Sequence, residues 1–245
     1  PQYAMRRAAS GVAGAPKNLI FAAINCKPDL YFADAINNDV AIANDSDALI
    51  YDRVLSDGGL RWDALVDWWR DRERQEEVAD ARKSLFVRLR AAVHAAQSPG
   101  EVAIFEAYYA HFARSMGDKL PALIPQVYLH YDPRTASERG AGRVLARQRM
   151  DFLLLLGHGV RVVVEVDGKH HFANGEVASP ARYAEMAAED RRLRLQGYEV
   201  YRFGAAEFAD VERVDGRYAV GPRSKQLIVD FFEKLFARHL DRSSA

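Results

Sequence analysis

The chain has almost no cysteine. Cys26 is the single one among 245 residues, so no internal disulfide can brace the fold, and the composition fits a reducing compartment. It has no excess of either charge, with 34 Lys and Arg against 34 Asp and Glu. That balance excludes a global basic field as the sign of a nucleic-acid partner, while a local basic groove stays open. Nor is there an apolar run near the roughly 20 residues of a membrane span. The segment 19–24 is also too short for the core of an export signal, despite Arg6-Arg7 upstream. A cytoplasmic, soluble protein without membrane contact is expected. Internal repeats and low-complexity tails are missing, which excludes solenoids. What is present is ordinary globular material, 49% apolar and 28% charged. Its length suits one large domain or two modest ones.

Residues 1–17 are Ala/Gly-rich and aperiodic. Short strand-like runs follow at 18–24, 29–33, 40–43 and 48–51, separated by Lys-Pro, Asn-Asn-Asp and Asn-Asp-Ser-Asp turn signals. Trp62, Leu65 and Trp69 at i, i+3 and i+7 predict a helix over 62–69. Residues 1–70 are thus expected to form a small β-rich module with one aromatic helix. Clustered tryptophans at helical spacing point to core or to an inter-domain contact rather than to a ligand surface. Residues 71–97 read as a connecting helix, charged all round in its first half.

The remaining residues, 98–245, read α-β-β-β-α-β-α, an α/β layer fold with a mixed central sheet. Ser98, Pro99 and Glu101 supply an N-cap, an N1 proline and an N3 glutamate, a helix start of the capping-box kind. Glu101 also falls on the apolar stripe of Ile104, Phe105 and Tyr108, so it looks inward. Strands are expected at 124–130, 149–156, 160–167 and 198–203, and helices over 98–115, 180–196 and 224–240. An Arg/Gly-rich loop lies between the first two of those strands.

The segment RMDFLLLLGHGVRVVVEVDGKHHF, residues 149–172, concentrates the chemistry. Strand alternation puts Arg161, Val163, Glu165 and Asp167 on one face and an aliphatic set on the other. Asp151, Glu165, Asp167 and Lys169 gather at one strand end. Clustered carboxylates repel and raise one another's pKa unless something positive sits among them. A hard divalent cation is the simplest such partner. A solvated strand end is the bland alternative.

Taken in order, Glu101, Pro125-Gln-Val-Tyr128, Asp151, Glu165-Val-Asp-Gly-Lys-His-His171, Tyr183…Asp190-Arg-Arg-Leu193 and Gly197-Tyr-Glu-Val-Tyr-Arg-Phe203 carry a family likeness. Residues 98–208 resemble the PD-(D/E)XK nuclease superfamily, in its E-x-D-G-x-x-H branch related to very-short-patch-repair endonucleases. The resemblance implies a restriction-endonuclease-like mixed sheet flanked by helices, and Mg²⁺ or Mn²⁺ held by Asp151 and Glu165. The family's lysine position is Asp167 here. Two registers follow: Glu165 as ligand with Asp167 in the lysine's place, or Asp167-Gly168-Lys169 as the motif itself. Both keep Asp151.

The implied activity is a metal-dependent DNA endonuclease. Asp151, Glu165, Asp167, Lys169 and His171 would be catalytic, and Glu101, Asp151, Glu165 and Asp167 would be metal ligands. Lys169 is suited to orienting water or touching phosphate. His171 is suited to a proton transfer or a phosphate contact, or else to bonding its own loop. Capping is the alternative role of Glu101. Arg143, Arg147 and Arg149, with Arg134 and Arg139, flank the site and form the candidate DNA groove; a solvated loop is the competing reading. Asp190 and Arg202 are expected behind the site.

Residues 18–69 resemble the amino-terminal module of abortive-infection proteins of the AbiJ type, which implies a role in anti-phage defence. Such a module would dock a protein partner or a second copy, and a chain starting near Arg82 is expected to fold without it. The reading from a different class is a catalytically silent nuclease-fold subunit that binds nucleic acid or a partner.

Overall fold

The computed structural model describes residues 19–24, 30–34, 36, 39–43, 48–128, 149–168, 173–174 and 177–240. In chain order come β1 (Leu19–Phe21), β2 (Leu30–Asp34), β3 (Asp39–Ile42), β4 (Leu49–Tyr51), α1 (Trp62–Glu73), α2 (Val78–Ala95) and α3 (Pro99–Met116). Then follow β5 (Ile124–Tyr128), β6 (Arg149–Leu155), β7 (Arg161–Asp167), β8 (Ala173–Asn174), β9 (Val177–Ala178) and α4 (Pro180–Leu195). β10 (Tyr198–Gly204), β11 (Val211–Val214), β12 (Arg217–Val220) and α5 (Pro222–His239) complete the fold.

Six strands form one mixed sheet in the order β10-β7-β6-β5-β1-β4. β7 and β10 run parallel in register from Arg161↔Tyr198 to Asp167↔Gly204, with α4 in the connection between them. The other neighbours are antiparallel. The α/β class and mixed sheet expected from the sequence are present.

Alternation along β10 sets the layers. Tyr201 and Phe203 meet Phe231 of α5, at 5.1 and 5.0 Å between ring centroids. Arg202, between them, bonds Asp190 of α4. α5 and α4 therefore cover opposite faces. α3 lies with α5, locked by Tyr108 against Phe232 at 4.6 Å. Both rings are fully buried, and each contributes on the order of 2–3 kcal/mol through burial alone.

The expected boundary near residue 70 does not interrupt the core. β1 and β4, from the supposed separate module, extend the sheet beyond β5. Phe21, Tyr51, Trp62, Trp68 and Trp69 share one buried cluster with α3, β6 and α5. Trp62 packs on Tyr109 of α3 at 4.9 Å. The tryptophans are core, and Trp68 and Trp69 satisfy their ring N–H groups on Asp52 and Ser84.

Two local features differ from expectation. The connecting helix is broken: Arg74 closes α1 in a left-handed conformation, φ 53°, and α2 begins only at Val78. Residues 74–77, RQEE, offer no apolar side chain to bury, so nothing opposes the turn. The hairpin β11–β12 was not expected. Its turn is Asp215-Gly216, with φ of 49° and 76°, the positive pair that an Asp-Gly two-residue loop supplies. Among the described residues no helix is long and apolar enough to cross a membrane.

Candidate active site

Strand register builds the site. Pro125 pairs with Phe152 and Val127 with Met150, which sets Gln126 opposite Asp151. Phe152 pairs with Val164, so one step on Asp151 stands opposite Glu165. Glu165 is in register with Arg202. Four adjacent strands thus contribute one polar residue each to a row across the sheet, Gln126–Asp151–Glu165–Arg202. On the antiparallel β6–β7 pair, directly opposed positions bring Cβ atoms to about 4.5–5.5 Å.

Each side chain has a local reason for its place. The β6–β7 ladder ends at Phe152↔Val164. Asp151 then takes over as acceptor, with the Val166 N–H donating to its Oδ2 at 2.8 Å. Glu101 arrives from α3. Ser98 caps that helix, its Oγ accepting from the Glu101 N–H at 3.3 Å. Gly100 lets the helix start press on the sheet: a Cβ there would lie 2.8 Å from Val166 Cγ1 and 2.6 Å from Phe208 Cδ2. Glu101, only 6% exposed, is thereby pushed against the row. Its backbone serves the cap, and its carboxylate accepts from Gln126 Nε2 at 2.6 Å.

Gln126 itself is unusual. It holds φ +52° inside a strand, a left-handed conformation costing a non-glycine residue about 1–2 kcal/mol. Its side chain is 1% exposed, and its Oε1 has no hydrogen-bond partner among the described residues.

Arg202 supplies fixed positive charge. Its Nη1 donates to Asp167 Oδ1 at 2.8 Å, and its Nε donates to Asp190 Oδ1 at 2.8 Å. It therefore both points at the carboxylates and braces α4.

The electrostatics follow from burial. Desolvation and then the neighbouring Asp151 push Glu101 up to about 8, against the pull of Arg149. Asp151 is pushed up to about 6, by desolvation first, while the Val166 N–H and Arg149 oppose the shift. Glu165 is raised well above the usual carboxylate range, by desolvation and then by Asp151. Negative charge exceeds what two arginines offset.

Asp151 acts electrostatically on both Glu101 and Glu165, and Asp167 acts on Asp151 and Glu165. Arg149, read as a phosphate contact, is half-buried and lies close enough to lower both Glu101 and Asp151. Lys169, His171, Arg143 and Arg147, with Arg134 and Arg139, fall outside the described residues. No protein-family model, curated protein or solved structure matches this chain.

As a donor set, the cluster suits a hard divalent cation: all oxygen, mostly anionic, buried and short of positive charge. Asp151, Glu165 and Glu101 are the side chains that could hold one, since Asp167 is engaged by Arg202. Among the described residues, no three His, Cys, Asp or Glu side chains already converge as a preformed metal site. In the sequence, Gln126 reads only as part of the strand 124–130. Its one signal was a polar residue in an otherwise apolar run, which burial makes costly unless it has a job.

Proposed function

We propose that the chain is a Mg²⁺- or Mn²⁺-dependent DNA endonuclease of the PD-(D/E)XK kind, acting as an effector in anti-phage defence. One observation carries this reading: three half-buried or buried carboxylates from α3, β6 and β7 interact electrostatically and have raised pKa values. Buried structural carboxylates are ordinarily paired, and undercompensated clusters are typical of functional sites. A bound divalent cation would offset that charge and act as Lewis acid toward a phosphodiester.

The residues divide the remaining work. Asp151 and Glu165 hold the cation, with Glu101 completing the set. Arg202 ties up Asp167, which favours Glu165 as ligand over the Asp167-Gly168-Lys169 register. Arg149, Arg143 and Arg147 are assigned to the DNA backbone, Lys169 and His171 to the attacking water and the phosphate. The defence role rests on the resemblance of residues 18–69 alone.

A second reading has its own support. Arg202 already supplies a cation to Asp167, as in a silent nuclease fold that binds nucleic acid or a partner without cutting. One experiment separates the two. Plasmid incubated with the full chain is expected to be nicked or linearised in Mg²⁺ or Mn²⁺ and left intact in chelator. Asp151→Asn and Glu165→Gln are expected to fall to the chelator background. Cleavage by both variants at the unsubstituted rate would remove the site assignment, and no cleavage by the native chain would favour the silent fold.

A further inference from the structure

Gln126 has two features that a strand residue rarely combines. Its backbone is left-handed, and a buried amide oxygen on its side chain has no partner among the described residues. Both neighbours are held in the sheet, Pro125 from both sides. The Ala22 N–H donates to the Pro125 carbonyl at 2.9 Å, and Pro125 and Val127 pair with Phe152 and Met150 of β6. Gln126 alone breaks the ladder, opposite Asp151.

An isolated buried acceptor is costly and is normally satisfied by protein, water or ion. Here the same amide donates from Nε2 to Glu101 at 2.6 Å, so its oxygen is buried on the amide that borders the carboxylate cluster. Amide oxygens are accepted ligands of hard cations. An uncharged oxygen also adds a donor without adding to the repulsion among Glu101, Asp151 and Glu165.

We propose that Gln126 belongs to the cation site. Its Nε2 positions the Glu101 carboxylate, and its Oε1 serves as a neutral oxygen toward the divalent cation or its hydration shell. The strained strand residue exists to turn this amide toward the carboxylates. This inference rests on the cation-binding reading above.

The test is calorimetric titration of Mn²⁺ into the full chain, beside melting curves taken in chelator. Gln126→Met keeps size and removes both polar atoms. It is expected to weaken Mn²⁺ binding by about 10–100-fold, the usual effect of removing a group that orients metal ligands. In chelator its melting temperature is expected to match or exceed that of the native chain, because an orphaned acceptor is gone. Gln126→Asn tolerates the left-handed backbone but reaches less far, and is expected to fold and bind Mn²⁺ more weakly too. It decides the matter if the methionine variant fails to fold. Native affinity in Gln126→Asn, or in a folded Gln126→Met, overturns the proposal, as does lowered stability with unchanged affinity. If the native chain and Asp151→Asn alike bind no Mn²⁺, the underlying cation site fails as well, a distinct result.

Discussion

At the scale of single residues, the molecule keeps carboxylates where they are uncomfortable. Glu101 and Asp151 have folded-state pKa values of about 8 and about 6, above their ordinary 4.5 and 3.8. The folded state therefore binds these protons more tightly than the unfolded chain does. The resulting stability is complete below about pH 4 and is lost as pH rises through 6 for Asp151 and 8 for Glu101. Asp151→Asn can still accept from the Val166 N–H, yet it carries no charge to bury. In chelator it is expected to melt at least as high as the native chain at pH 5 and roughly 5 °C higher at pH 8.5, for a gain of about 2 kcal/mol. A melting difference that does not grow with pH would show that Asp151 is not strained by its charge. Asp151, Glu165 and Asp167 were legible in sequence because strand alternation alone places Glu165 and Asp167 on one face. Gln126 was not, since its role depends on pairing with a strand 25 residues later and on a backbone angle that no pattern encodes.

At the scale of elements, α3 is the part that converts a strand cluster into a site. Its N-cap and its apolar stripe were readable from Ser98, Pro99 and the Ile104–Tyr108 spacing. What brings Glu101 to the row is the bare Cα of Gly100 against Val166 and Phe208. Gly100→Ala is expected to lower stability by about 1–2 kcal/mol, overpacking outweighing the helix preference for alanine. It should also weaken Mn²⁺ binding, because Glu101 retreats with the helix. A melting temperature and an affinity both unchanged would show that the contact is slack. Strand and helix positions from 98 onward agreed with the apolar periodicity to within a few residues. The β11–β12 hairpin was missed although Asp215-Gly216 signals it, because the flanking VERV and RYAV carry too little apolar alternation to stand out. The break at Arg74 was hidden by a charge run that suits an exposed helix and an exposed turn equally.

At the scale of the whole molecule, the amino-terminal segment is continuous with the sheet that carries the candidate site. Ala22, just after β1, donates to Pro125 of β5 beside Gln126, and Arg88 of α2 donates to the Ala22 carbonyl. Pairing between strands a hundred residues apart leaves no local trace in sequence, which is why residues 1–70 read as a module. A chain starting near Arg82 loses two sheet strands and the Trp62, Trp68 and Trp69 cluster. It is expected to show no cooperative melt. A cooperative melt with native Mn²⁺ affinity would restore the view of a separable module. Glu101, Asp151 and Glu165 are proposed as a charge set that a divalent cation completes. Mn²⁺ titrated into the full chain near pH 7, in two buffers of different ionisation enthalpy, tests it most directly. Binding is expected to release about one proton or more, from Glu101 and Glu165, whose pKa values burial raises, and to be abolished in Asp151→Asn. Absence of binding, or binding without proton release, would contradict it.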